Sequence, residues 1–188
     1  MSSTLVAQME MEEDLAEDHA TAQPAAGRGP VEIVGVRLIA RHRLVAEYPA
    51  LIEALRAGDA PTPMFDAMRV EACPRGAALA WRAHRARGHL ALAVGGAALL
   101  ALYDGREQSP TRGAAHRVVL RAYGWPVGGW RLAVIPAGVW YGFAALDCDE
   151  ARLVTIPVGA SPTGDELTLP WDSPVIPFPW PPGITRAA

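Results

Sequence analysis

Histidine is the side chain best suited to moving protons near neutral pH, and the surroundings of the five histidines in this chain divide them into two groups. His19 lies in an acidic segment. His42 and His116 stand beside arginines, in Arg41-His42-Arg43 and His116-Arg117, where a solvated surface position is expected. His84 and His89 are different, because one closes the apolar run Ala77 to His84 and the other opens the run His89 to Val94. Arg82 precedes His84 by two residues, so in an extended strand both side chains leave the same face. Tyr141 places a phenol within Val139-Trp140-Tyr141-Gly142-Phe143. Imidazole and phenol can accept and return protons, and a guanidinium can hold an anion.

Other chemistries are excluded by what is missing. All 17 basic residues are arginine. Without lysine there is no Schiff-base enzyme, no pyridoxal phosphate anchor and no P-loop of the G-x-x-x-x-G-K-[ST] type. Without asparagine there is no N-glycosylation site. Against 20 acidic residues the net charge is -3, which argues against nucleic acid as a partner. Cys73 and Cys148 lie far apart with no C-x-x-C spacing and read as free thiols. Met1 to Gln8 lacks a basic stretch and a sustained apolar run, and no segment approaches the roughly 18 apolar residues of a membrane span. A soluble cytoplasmic protein with a small-molecule substrate is expected.

Positioning these residues requires one folded domain, which 188 residues at 51% hydrophobic can form. Residues 1 to 29 are rich in Glu, Asp, Ala and Gly and read as a disordered acidic tail, so the domain is expected over 30 to 188. Val45, Tyr48, Leu51, Ile52 and Leu55 recur at helical spacing and predict one short helix near 45 to 57. Strands are expected at Val31 to Ala40, Phe65 to Ala72, Ala77 to His84, His89 to Val94, Ala97 to Asp104, His116 to Tyr123, Arg131 to Ile135, Trp140 to Leu146 and Ala151 to Pro157. Turn pairs such as Gly95-Gly96, Asp104-Gly105 and Gly128-Gly129 separate them, a pattern of all-β sandwiches and barrels. Pro170 to Pro182 holds six prolines interleaved with Trp171, Phe178 and Trp180, and reads as an extended arm packed along the outside.

Four segments carry a family resemblance. Gly76 to His89 has the cadence of the first cupin motif, and Ile135-Pro136-Ala137-Gly138-Val139-Trp140-Tyr141-Gly142-Phe143 resembles the second, P-x-G-x-x-H-G-F. Leu102 to Thr111 and Leu169-Pro170-Trp171-Asp172-Ser173-Pro174 resemble segments of the dTDP-4-dehydrorhamnose 3,5-epimerase family, in order, from about Phe65 to Trp180. The resemblance implies a cupin-type double-stranded β-helix or jelly roll, a homodimer, and an active site inside the barrel. It also implies epimerisation of 4-keto-6-deoxy sugar nucleotides with no metal or organic cofactor, using a histidine base, a carboxylate that orients it, and a tyrosine acid.

Residue by residue, the family's base histidine falls on Arg82, which stays charged and cannot accept a proton. The family arginine preceding it falls on Leu79, the second-motif histidine on Tyr141, and the segment of the catalytic tyrosine on Val158 to Ser161. His89 stands five residues after His84, where glutamine or lysine is common. The implied catalytic set is therefore Arg82, His84, His89 and Tyr141, with the base moved to one of the histidines and Arg82 as anion anchor. Asp172 is expected to form a salt bridge with Arg82, and Arg85 and Arg87 to stand at the pocket rim, Arg87 holding an anionic substrate group. Leu79, Leu92, Trp140 and Phe143 are expected to wall the cavity, with Leu79 and Trp140 touching substrate. An arginine beside two histidines and a phenol repels a dication, so a metal-free pocket is expected. Two other readings stay open: a cupin turned to cyclisation or isomerisation of a polyketide-like intermediate in specialised metabolism, and a non-catalytic ligand-binding cupin.

Overall fold

The computed structural model describes residues 32–40, 67–123, 130–159 and 164–188. The expected tail over 1 to 29, the helix near 45 to 57 and His42 lie outside the described residues. Eleven strands are described: β1 (Arg37–Ala40), β2 (Arg69–Pro74), β3 (Ala77–His84), β4 (Gly88–Gly95), β5 (Ala97–Asp104), β6 (Ala115–Arg121), β7 (Arg131–Ile135), β8 (Val139–Ala145), β9 (Glu150–Val158), β10 (Glu166–Thr168) and β11 (Arg186–Ala187). They form two sheets, in the orders β1-β7-β4-β9-β2 and β10-β3-β8-β5-β6, with β11 added parallel to β3 and every other pairing antiparallel. This is the all-β jelly roll of the cupins.

Alternation along the strands fills the space between the sheets. Ala91, Ala93, Ala133, Ile135 and Leu153 point inward from the first sheet; Leu100, Leu102, Val118, Leu120, Val139, Tyr141 and Phe143 meet them from the second. The opposite faces are also covered. Leu90, Leu92, Trp130, Leu132, Val134 and Ile156 cluster on the back of the first sheet, and Trp81, Leu99, Ala101 and Ala144 lie under Ile176 and Phe178 of the C-terminal arm. Burial on both faces explains why β5 is a continuous Ala/Leu run that propensity alone would assign to a helix.

The arm is fastened by polar as well as aromatic contacts. Trp171 O accepts hydrogen bonds from Trp81 Nε1 (3.2 Å) and Trp180 Nε1 (2.9 Å), and the Trp81 ring meets Phe178 edge-on at 5.5 Å. Backbone bonds between Trp81 and Leu169 run in both directions, at 2.7 and 3.0 Å. At the other end of β5, the buried carboxylate of Asp104 accepts hydrogen bonds from Arg106, Ser109 and Thr111, which fixes the loop before β6. Despite its burial, these donors and the guanidinium of Arg106 hold the Asp104 carboxyl well below the usual carboxylate range.

Three expectations about elements need correction. The first strand is only Arg37–Ala40, because Val36 N–H bonds back to Ile33 O (3.1 Å) in a turn carried by Gly35 at φ +87°. β10 and β11, of three and two residues, were not expected. His116 is not a fully solvated side chain; it lines a crevice of about 260 Å³ with Ile33, Val36 and Leu38.

Candidate active site

β3 carries two of the expected site residues on its inner face. A register shift between Leu79 and Arg82 interrupts its pairing with β8. Ala80 and Trp81 both pack toward the arm, while Leu79 packs against the interior core. The bulge therefore restores inward direction at Arg82 and His84. β4 brings His89 to the same end of the barrel, and β8 brings Tyr141, opposite Arg82 in the β3–β8 register.

There the four residues meet. The His84 and His89 rings stack at 5.2 Å, 8° from parallel, and His89 lies 4.6 Å from the Tyr141 ring. The Tyr141 hydroxyl is 3.2 Å from both ring nitrogens of His89 and 3.5 Å from His84 Nε2. All three side chains are buried, whereas Arg82, whose guanidinium carbon is 5.7 Å from the Tyr141 ring centroid, keeps 17% of its side chain exposed. Arg82 is thus the most exposed of the four.

Its partner is not Asp172. Arg82 forms a bidentate ion pair with Glu71 on β2, with Nη1 to Oε1 at 3.0 Å and Nη2 to Oε2 in close contact, and Thr155 Oγ1 donates to Glu71 Oε1 at 2.7 Å. Asp172 is exposed on the arm, on the far side of β3 from the stack. Arg87 also departs from expectation. It is buried, with Nε 3.3 Å from His84 Nδ1 and 3.2 Å from Asp165 Oδ2, while Arg85 is exposed and donates to Gly164 O. Leu79 and Phe143 do face the interior. Trp140 and Leu92 do not, because each neighbours an inward residue on its strand and points to the outer layer.

Neither a protein-family model nor a curated protein matches the sequence. Among solved structures, a dTDP sugar isomerase from Desulfovibrio desulfuricans is 30% identical, with a TM-score of 0.68, covering 79% of this chain and 92% of that one. The chain belongs to the dTDP-4-dehydrorhamnose 3,5-epimerase family. Two further members share the fold at lower identity. RmlC from Legionella pneumophila, solved with dTDP-4-keto-L-rhamnose, is 17% identical with a TM-score of 0.67, covering 84% of this chain and 86% of that one. ChmJ, a 3'-monoepimerase from Streptomyces bikiniensis solved with dTDP-quinovose, is 20% identical with a TM-score of 0.68, covering 86% and 82%.

Set within this family's barrel, the protonation states of the stack follow from its surroundings. Burial lowers the His84 pKa below its ordinary 6.5, and the Arg87 charge lowers it further, against a partial offset from Glu166 and Asp165. His89 is held well below 6.5, by burial first and then by His84, Arg82, Arg69 and Arg87. Burial raises Tyr141 above 10, with Glu71 and Glu166 adding to it and Arg82 opposing. Glu71 is the reverse case: burial pushes its carboxyl up, but the hydrogen bond and charge of Arg82 outweigh this and the net shift is downward. At neutral pH the site therefore holds two neutral imidazoles, a protonated phenol and a fixed Arg–Glu pair. Among the described residues no group of three or more His, Cys, Asp or Glu is placed to hold a metal ion, and no helix is long and apolar enough to cross a membrane.

Two members of this network, Glu71 and Asp165, were missed from sequence. Glu71 had a readable signal, since it lies two residues from Cys73, whose burial marks the inner face of β2. Asp165 had none, being one acidic residue in a turn and far in sequence from the histidine it approaches.

Proposed function

We propose that this chain is a proton-transfer isomerase acting on a 4-keto-6-deoxy sugar nucleotide, with an imidazole of the buried stack in place of the family's base histidine. The observation that carries this reading is the contact of the Tyr141 phenol with two imidazoles, both kept neutral at pH 7, beneath an arginine at the solvent side. A neutral imidazole can take a proton where Arg82 cannot. Removing the proton beside a ketone places negative charge on its oxygen, and the Arg82 guanidinium stabilises that charge. Membership of the family and the dTDP-sugar ligands of its solved members support the substrate class. The homodimer belongs to the same proposal and is tested by sedimentation equilibrium.

In deuterium oxide with saturating dTDP-4-keto-6-deoxyglucose, the protein is expected to introduce deuterium at C3, C5 or both, followed by proton NMR. Because the base works unprotonated and its pKa is lowered, the exchange rate is expected to be flat above pH 6.5 and to fall only below it. A folded protein that gives no exchange overturns the proposal. That outcome favours the second reading, a cyclase or isomerase of a polyketide-like substrate, which Leu79 supports by placing an apolar side chain in the interior where the family pattern has arginine.

A further inference from the structure

The hydroxyl of Tyr141 lies between two imidazoles, and the hydrogen-bond chain through it has a direction. A neutral imidazole carries one N–H and one lone pair, and the partners decide which nitrogen has which. On the far side of His84 from Tyr141, Arg87 Nε–H donates to His84 Nδ1 at 3.3 Å. A guanidinium has no lone pair to offer and stays protonated, so this bond runs one way only. Nδ1 is then the bare nitrogen of His84, and the hydrogen sits on Nε2, which faces the Tyr141 oxygen. That oxygen accepts from His84, and its own hydrogen goes to His89. Because the oxygen is 3.2 Å from both His89 nitrogens, whichever lacks a hydrogen can accept.

Asp165 completes the arrangement. Its Oδ1 accepts from Ala86 N–H at 2.7 Å, while its buried Oδ2 lies 3.2 Å from Arg87 Nε and 3.5 Å from His84 Nδ1. Oδ2 makes no hydrogen bond among the described residues, and its charge is paired with that of Arg87.

We infer that Arg87 and Asp165 are positioning residues that impose a one-way chain from Arg87 through His84 and Tyr141 to His89, making His89 the terminal proton acceptor and His84 a hydrogen-bond donor. For its chemical consequence this rests on the isomerase reading; the tautomer does not. In the reaction, the substrate C–H bond breaks and its proton binds the Tyr141 oxygen as the phenol's original proton moves to His89. The electron pair remains on the substrate as an enolate whose oxygen faces Arg82. Solvent water protonates the enolate carbon on its opposite face, and release of the His89 proton through Tyr141 to the resulting hydroxide restores all groups.

The test is histidine tautomer NMR on the full chain with ¹⁵N-labelled histidine at pH 7. His84 is expected with hydrogen on Nε2 and Nδ1 bare; hydrogen on Nδ1 overturns the inference without any variant. In Arg87→Met the His84 hydrogen is expected to move to Nδ1, facing Asp165, and the His84 titration to move to higher pH. The other charges acting on the stack, Arg69 and Glu71 on β2, Arg82 on β3 and Glu166 on β10, are unchanged in that variant. An unmoved tautomer removes Arg87 from its role. In deuterium exchange, His89→Asn is expected to lose about 10²- to 10⁴-fold. His84→Gln, whose amide keeps an N–H donor, is expected to lose about tenfold or less. Equal losses overturn the assignment. If the wild-type tautomers are as expected but no exchange occurs, the isomerase reading has failed and the hydrogen-bond chain has not.

Discussion

Glu71→Ala is expected to lower the unfolding free energy by about 3 kcal/mol at pH 7, because it leaves the Arg82 charge largely buried and without its carboxylate. The Glu71 side chain is 11% exposed and makes both oxygens available to the guanidinium, so solvent cannot replace it fully. Thr155, which donates to the same carboxylate, also loses its acceptor. The pH dependence identifies the cause. Glu71 titrates below its ordinary 4.5 in the folded protein, so its contribution is complete above that value and disappears as pH falls through the folded pKa. Urea denaturation of wild type and variant should therefore differ most near neutrality and converge in acid. A loss as large at pH 3 as at pH 7 would assign the effect to packing. Glu71→Met combined with Arg82→Met is expected to recover most of the stability, since an apolar pair of similar volume avoids the desolvation that the ions incur.

Gly142→Ala is expected to cost about 3 kcal/mol, at the upper end of overpacking effects. A β-carbon built on Gly142 comes within 2.3 Å of Ala80 Cβ, 3.1 Å of Ala80 Cα and 3.2 Å of Leu79 O. None of these atoms ends a flexible side chain that could swing away. The added methyl must separate β8 from the β3 bulge, and Tyr141 is the adjacent residue on β8. A lower melting temperature together with a changed His84–His89 NMR pattern is the expected result. Unchanged melting would mean that the bulge yields where it has no evident freedom to do so.

Much of the fold could be read from the chain because turn chemistry and alternation agreed. β3 begins after Gly76, β5 runs from Gly96 to Asp104-Gly105 and β7 ends at Pro136, and the expected boundaries of all three match the structure. β10 and β11 are too short to show a period and exist only because β3 offers them backbone partners. At the site, period two put Arg82 and His84 on one face, and the family resemblance placed His89 and Tyr141 opposite them. The two failures have separate causes. Asp172 was assigned to Arg82 from sequence pattern, whereas pairing is decided by which strand crosses the barrel, and β2 delivers Glu71 there. Trp140 was expected in the pocket beside Tyr141, yet neighbours on a strand without a bulge, as here on β8, face opposite ways.

β3 also has a consequence for how such a protein changes over time. Arg82 and His84 project into the candidate site on one side, while Ala80, Trp81 and Ala83 serve the packing on the other, where the proline-rich arm is fastened. Inheritance can therefore act on the two sides separately. Substitutions among the inward-facing groups leave the contacts of the outer seam in place, so the arm stays fastened when the pocket is altered. In that sense one strand separates the history of the pocket from the history of its scaffold.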